Sequence, residues 1–527
     1  MRLQSLIEGL GIEAVASTRG ASAKTGGRIC DVTDDSRTVM PGSLFIARPG
    51  STADGRRFIA DAVRAGAAAV LTDRTVGPDA VAGPGGGAVL LHAADVPPTA
   101  AALVERFYGD PSSKLTLLGV TGTNGKTTVA HLLHQILNHA DIRCGLIGTV
   151  MVDDGNETAR AEMTTPGATE LSHTLSVMVE NGCAAAAAEV SSHALDQRRA
   201  DGLAFDVAVF TNLSGDHLDY HGTMAAYAAA KARLFGLLPA DGAAVVNGDD
   251  AHAGVMLGAV RGARAVRCST ATARPAWADA WGRAGSATPD GFDAVLEGPW
   301  GEVAGRVALV GRHNLSNVLL ACAAAFEAGV DAARIEAALP GLAPPPGRLE
   351  AAHGEGPGPR VYVDYAHTDD ALESVLSAVR GVTPAGARVW VVFGAGGDRD
   401  RTKRPRMMRA ALRGADRVVV TSDNPRTEPA SRIIDDILSG APGEPIGEEG
   451  GRVFVDADRR RAIERAVRGA GESDVVVIAG KGHEHEQVLP DGAGGVRAVE
   501  FDDAAEARRA WSSRSGSSAE VVGARSS

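Results

Sequence analysis

Apolar positions set two rhythms along the chain. From residue 347 onward, short apolar runs recur at Val361 to Val363, Val389 to Phe393, Arg417 to Val420, Val453 to Val455 and Val475 to Ile478. Helix-like stretches separate them, among them Asp369 to Val379, Ala430 to Leu438 and Arg459 to Val467. Strands alternating with helices predict a parallel sheet with right-handed crossovers. Ligands of such sheets gather beyond the carboxyl ends of the strands. Those ends carry Asp364, Gly394 to Arg401, Asp423 to Arg426 and Gly480 to Glu484.

Upstream, Leu115 to Val120 reads as a strand, and Val129 to Ala140 as a helix with Leu132, Leu133, Ile136, Leu137 and Ala140 on one face. Ala184 to Ala188 reads as a buried strand. Nearer the N-terminus, Ser43 to Ala47 predicts a strand after the Pro41-Gly42 turn, and Arg57 to Ala65 a helix. The Pro-rich break from Pro340 to Gly347 is the best linker candidate. The expected class is α/β. Its domains are an N-terminal α/β domain over 1–112, a central domain with a mostly parallel sheet over 113–346, and a Rossmann-like domain over 347–511. Ser512 to Ser527, rich in Ser, Gly and Arg, reads as a disordered tail.

At 527 residues the chain exceeds a single core. Its formal charge of −12 argues against nucleic acid as the main partner. Cys30, Cys144, Cys183, Cys268 and Cys322 lie far apart with no Cys-x-x-Cys pair, which speaks for a reducing compartment and against a zinc site. No signal peptide or membrane span is read, so a cytoplasmic protein is expected.

The richest chemistry lies between the Leu115 to Val120 strand and the following helix. There Thr121-Gly122-Thr123-Asn124-Gly125-Lys126-Thr127-Thr128 gives strand, glycine loop, Lys-Thr and helix, the order in which backbone amides and a helix N-terminus surround a phosphate. Lys126 would meet phosphate oxygens and Thr127 would ligate Mg²⁺. The standard loop needs a glycine six residues before the lysine, and Val120 stands there. Glu189, at a strand end beside such a loop, suits a metal ligand, or equally a surface charge. Taken alone, His217 reads as a loop histidine and Lys231 as a solvated helix lysine.

Together these segments resemble the Mur ligase family, the ATP-dependent amino-acid ligases of peptidoglycan synthesis. The matching motifs are Thr121 to Thr127, Glu189 to His193, Asp216 to Gly222, His313 to Asn317, Gly347-Arg348, Asp364 to His367 and Gly480 to Glu484, in the family's order. The resemblance implies ATP bound by Gly122, Thr123, Asn124, Gly125, Lys126, Thr127, Thr128, Asn314, Arg348 and Asp364. It implies Mg²⁺ held by Thr127, Glu189, His217 and Lys231, the last carbamylated by CO₂, with Lys126, Lys231, His217 and Arg348 catalytic. His217 and His367 are both candidates for the base that takes the amine proton. Ser36, Thr164, Thr165, Ser191, Gln197 and Arg199 would bind a UDP-N-acetylmuramoyl dipeptide. Ser43, Arg48 and Arg56 depart from the family's usual first-domain pattern.

Within the family, Asp423-Asn424-Pro425-Arg426 resembles the motif of the enzyme adding the third stem-peptide residue, in the form using 2,6-diaminopimelate. A guanidinium suits the extra carboxylate that distinguishes diaminopimelate from lysine. Arg399, Asp423, Asn424, Pro425, Arg426, Gly480 and Glu484 would bind it. The alternatives are a lysine-adding member and a P-loop NTPase without ligase activity. The expected partners are small molecules, with no nucleic acid and no membrane insertion, and the expected state is a monomer.

Overall fold

The computed structural model describes residues 1–15, 26–50, 54–83, 87–447 and 451–522, with side chains through 514. The chain forms two compact units. The first comprises Met1–Trp281, Glu297–Gly301 and Ser316–Ile335; the second comprises Gly282–Leu296, Glu302–Leu315 and Glu336–Ser527.

The first unit holds two sheets. The N-terminal one runs Glu13–Val15, Val89–His92, Ala69–Thr72, Ser43–Ile46, Asp31–Thr33, parallel except at the Glu13–Val15 edge. In the second, Thr116–Thr121 lies between Ala185–Glu189 and Val207–Phe210, all parallel. Cys144–Ile147 extends one side, and Ala243–Asn247 with Arg264–Ser269 the other. The polyalanine run suits its place, since all five residues of Ala185–Glu189 are buried and small side chains admit helices on both faces. Chain order reverses beside Thr116–Thr121, placing a crevice at that strand's carboxyl end.

The helix after this strand spans Lys126–His139 and starts three residues before the expected Val129, because Gly125 takes a left-handed φ of 85° and caps it there. His131 on this helix is held down to about 4, chiefly by burial and then by His134 beside it. A histidine kept neutral by the fold contributes stability that is full above its unfolded value near 6.5 and is lost as pH falls toward 4. His131→Gln is therefore expected to flatten the fall in melting temperature between pH 7 and pH 4.5, as differential scanning calorimetry would show.

The second unit has a six-stranded sheet in the order Glu350–Ala351, Arg360–Asp364, Val475–Ala479, Val389–Phe393, Arg417–Val420, Val453–Val455. The last five strands run parallel, matching the apolar runs. Cores lie on both faces, one built on Leu372, Leu376, Met407 and Ile433, the other on Ile463, Val467, Ala507 and Trp511. A further helix, Lys403–Gly414, appears where the sequence reading placed none. Pro405 sits in its first turn, where a missing N–H costs nothing. The helix Asp503–Val522 runs into the stretch read as a tail, and buried Ala504, Ala507, Ala510 and Trp511 seat its first part. Residues 523–527 lie outside the described residues. Among the described residues no helix is long and apolar enough to cross a membrane.

Candidate active site

In the first unit, the crevice beside Thr116–Thr121 gathers the phosphate-loop residues. Lys126 Nζ donates to the carbonyls of Gly122 (3.0 Å) and Thr123 (2.8 Å), so the ammonium curls over the loop where an anion would otherwise meet it. Two glycines make the cradle possible. A Cβ on Gly122 would lie 1.8 Å from Thr211 Oγ1, and one on Gly125 2.6 Å from Asn317 Oδ1. Gly125→Ala is therefore expected to cost about 1–2 kcal/mol through the left-handed backbone alone. It should also abolish the thermal stabilisation given by a non-hydrolysable ATP analogue. Retained stabilisation in a thermal-shift assay would refute the cradle.

Thr127 and Glu189 meet directly: Thr127 Oγ1 donates to Glu189 Oε2 at 3.0 Å. The carboxylate also accepts from Thr149 N (2.7 Å) and Thr149 Oγ1 (3.1 Å). Thr149 continues the network to Thr164 Oγ1 at 3.0 Å. Thr165 Oγ1 bridges the Glu189 carbonyl (2.8 Å) and the Ser191 amide (3.0 Å), and Arg199 donates to the Thr165 carbonyl (2.8 Å) and to Gln197 Oε1 (2.7 Å). The expected dipeptide residues Thr164, Thr165, Ser191, Gln197 and Arg199 thus share one hydrogen-bonded wall with Glu189. Arg199 also lines a cleft with Asp34 and Arg48. Its guanidinium is held below its ordinary value by burial and by the charge of Arg48. Ser36 lies in the turn after Asp31–Thr33, beside the Asp35–Arg37 pair.

Lys231 is not a solvated lysine. The helix Met224–Gly236, capped by Thr223, carries it inward until it is 1% exposed. Its Nζ donates to the Gly122 carbonyl at 2.6 Å and lies 4.4 Å from the centre of the Tyr227 ring. Burial, then the neighbouring Lys126 charge, pushes its pKa down to about 6. His217 is exposed, in a left-handed conformation (φ 52°), and packs edge-on to His193 at 4.8 Å between ring centres. Among the described residues no three His, Cys, Asp or Glu side chains converge as they would round a metal.

In the second unit, Asp364 is buried, and its oxygens accept from the Leu349 and Ala366 amides, each at 2.8 Å. Burial raises its pKa, opposed by Arg348. Arg348 lies over the Tyr365 ring at 5.3 Å, its Nε buried with no hydrogen-bond partner among the described residues. Asn314 is buried, with Nδ2 on the Val310 carbonyl at 2.7 Å.

Three loops at neighbouring strand ends carry the remaining expected residues. Arg426 takes a positive φ of 53° and donates to the Gly397 carbonyl at 2.8 Å. A Cβ on Gly396 would lie 3.0 Å from its guanidinium and 3.6 Å from Arg399 Cγ, so the two arginines flank one glycine. A Cβ on Gly397 would strike the Pro425 carbonyl at 1.9 Å. Asn424 donates to Glu484 Oε2 at 2.8 Å, and Asp423 Oδ1, buried with no hydrogen bond among the described residues, faces the Lys481 ammonium at 3.8 Å. Gly480 has a positive φ of 124°.

Sequence reasoning passed over Lys481, which is fully buried and donates to Asn424 Oδ1 (3.0 Å) and Glu484 Oε2 (3.1 Å). Burial pushes the Glu484 carboxyl up, but the Lys481 ammonium and the Asn424 amide outweigh it and hold it below its usual value. Thr149 was missed as well, since nothing in its local sequence marks a network residue.

The Mur ligase family catalytic-domain model matches residues 28–103, the Mur ligase middle domain 120–325, and the Mur ligase glutamate ligase domain 347–482. The chain is 43% identical over 486 residues to the UDP-N-acetylmuramoyl-L-alanyl-D-glutamate--2,6-diaminopimelate ligase of Synechococcus elongatus, covering 91% of this chain and 93% of that one. It is also 43% identical to the ligase of the same name from Pseudomonas aeruginosa, over 92% and 95% of the two chains. A solved structure of a ligase of that name aligns with a TM-score of 0.69 at 33% identity, covering 95% of this chain and all of that one. The motifs, the three-part α/β architecture and these relatives together establish that the chain belongs to the Mur ligase family of ATP-dependent ligases.

Proposed function

We propose that the chain joins 2,6-diaminopimelate to the D-glutamate γ-carboxylate of UDP-N-acetylmuramoyl-L-alanyl-D-glutamate, in cytoplasmic peptidoglycan precursor synthesis. The observation that carries this reading is the pair of arginines, Arg426 and Arg399, flanking Gly396 beside the Asn424–Glu484 contact. Together these present cations for a carboxylate and an anion for an ammonium, the second amino-acid head that diaminopimelate has and lysine lacks. Close relatives bear the same activity in their names.

Amide formation from two ions in water is uphill, so the γ-carboxylate is first phosphorylated by ATP and the neutral amine then displaces phosphate. Lys126 and Arg348 spread the charge of the transferring phosphoryl group. Gly122 to Thr128 cradle the nucleotide phosphates, and Asn314 and Asp364 hold its nucleoside. Thr164, Thr165, Ser191, Gln197 and Arg199 hold the dipeptide end of the acceptor, and Ser36 its uridine end.

The Thr127–Glu189 pair, an oxygen donor set at the phosphate loop, suits Mg²⁺; the family resemblance implies that His217 and a carbamylated Lys231 would join it. That ion neutralises phosphate charge when bound. Carbamylation needs a neutral amine, and burial of Lys231 supplies one near neutral pH. The carbamate would replace a cation that repels the ion with two oxygen ligands.

The test is phosphate release from ATP, Mg²⁺ and the muramoyl dipeptide with meso-diaminopimelate, LL-diaminopimelate or L-lysine. Turnover with a diaminopimelate and almost none with lysine is expected. Preference for lysine would overturn the Arg426 reading, and release indifferent to all three would overturn the ligation itself.

A further inference from the structure

Arg459 opens the helix Arg459–Gly469, within a run of arginines that reads as solvated surface. It is instead wholly buried, as is Asp503, the first residue of the C-terminal helix. Two parallel bonds join them, Nε to Oδ1 at 2.7 Å and NH2 to Oδ2 at 2.6 Å. Burial opposes the guanidinium charge, but Asp503 outweighs it and Arg459 is held above its ordinary value.

The guanidinium's other donors reach the backbone. NH2 meets the Ala479 carbonyl at 3.0 Å, and NH1 the Ser422 carbonyl at 3.3 Å. Ala479 immediately precedes Gly480, and Ser422 immediately precedes Asp423. One side chain therefore ties together the roots of both loops assigned to the incoming amino acid. Gln487 reinforces the junction, donating to Ser422 Oγ (2.9 Å) and to the Asp423 carbonyl (2.7 Å).

Stability alone does not call for such a pair. Two desolvated charges are often replaced by well-packed apolar residues without loss, so a buried ion pair is weak evidence for a stabilising role and better evidence for fixed geometry. A planar guanidinium locked by a bidentate carboxylate sets the distance between two loops in a way that apolar packing does not.

We propose that Arg459, oriented by Asp503, is a positioning residue for the incoming diamino acid: it fixes the spacing of Asp423–Arg426 from Gly480–Glu484. The proposal rests on the reading of those loops as the diaminopimelate site. It makes the start of the C-terminal helix part of acceptor selection, although Asp503 belongs to neither loop.

Asp503→Asn and Arg459→Lys, each made in the full chain, test it by steady-state kinetics in all three substrates. Both are expected to raise KM for diaminopimelate about tenfold or more, the scale set by small misplacements of a binding group. KM for ATP and for the muramoyl dipeptide should stay within about twofold. Trp511→Leu serves as the control. Trp511 packs the same helix against Gly354 and Gly358 and donates to the Pro359 carbonyl. It should lower the melting temperature and leave KM for diaminopimelate unchanged.

If all three KM values move together, or if Trp511→Leu raises KM for diaminopimelate as much as Asp503→Asn does, the pair is only structural. Should Asp503→Asn yield no folded protein, Arg459→Lys decides alone, because it keeps the charge facing Asp503. Wild-type protein that releases phosphate without regard to diaminopimelate would sink the functional reading. Wild-type dependence with an unmoved KM in the variants would sink only this inference.

Discussion

Lys126→Ala is expected to lower kcat by about 10²–10³-fold, the usual effect of removing one preorganised donor from developing transition-state charge. The magnitude follows from where the ammonium sits. The Gly122 and Thr123 carbonyls that it meets are neutral acceptors of the loop itself. A transferring phosphoryl group would offer it a full charge instead, and the charge-assisted contact is roughly twice as strong. Lys231 lies against the same Gly122 carbonyl, so removing Lys126 also relieves a repulsion that lowers the Lys231 pKa. Stability should accordingly change little while turnover collapses. Calorimetry beside a phosphate-release assay checks both halves. A kcat within threefold of wild type would remove Lys126 from the chemistry.

Arg426→Leu is expected to erase most of the preference for diaminopimelate over L-lysine. A site built to bond a polar group rejects the analogue lacking it by roughly 10⁴-fold, because its own buried group is left unpaired. The guanidinium–carboxylate contact itself is worth about 1.5–3 kcal/mol. Arg399, whose Cγ lies near the same glycine, would retain part of the proposed carboxylate binding. The variant should therefore lose selectivity more than it loses all activity. The ratio of kcat/KM values for the two amino acids measures it directly, and an unchanged ratio would place the discrimination elsewhere. Arg426→Lys is not a conservative replacement here, since an ammonium cannot make the bidentate contact.

Much of this was legible in the residues. The runs Val389 to Phe393 and Val475 to Ile478 are strands because uninterrupted apolar residues suit strands covered on both faces. The Gly-Lys-Thr loop showed itself through residue types that few other tasks require. Asp423 to Arg426 lie at a strand's carboxyl end, as the alternation of strands and helices placed them.

Charged residues were the harder class. Lys231, Arg404 and Arg459 each stand among neighbours typical of exposed helices, yet each is buried. Arg404 pairs with Glu428, 24 residues away, and with Asp436; Arg459 pairs with Asp503, 44 residues away. Composition nearby carries no trace of such partners. The Lys403–Gly414 helix escaped notice for a related reason. Its cluster of cations argues locally against a helix, and the buried pairing of Arg404 overrides that argument.

By itself, then, the sequence determined the strands of the second unit's parallel sheet, the Gly-Lys-Thr loop between strand and helix, and the family. All of these depend on short-range periodicity or on motifs whose residues are adjacent in the chain. Only the tertiary structure decided which charges are buried, which loops one guanidinium holds together and how far the Lys231 ammonium is destabilised. Those depend on desolvation and on partners tens of residues away, and a charge's cost is set by what surrounds it, not by its neighbours in sequence.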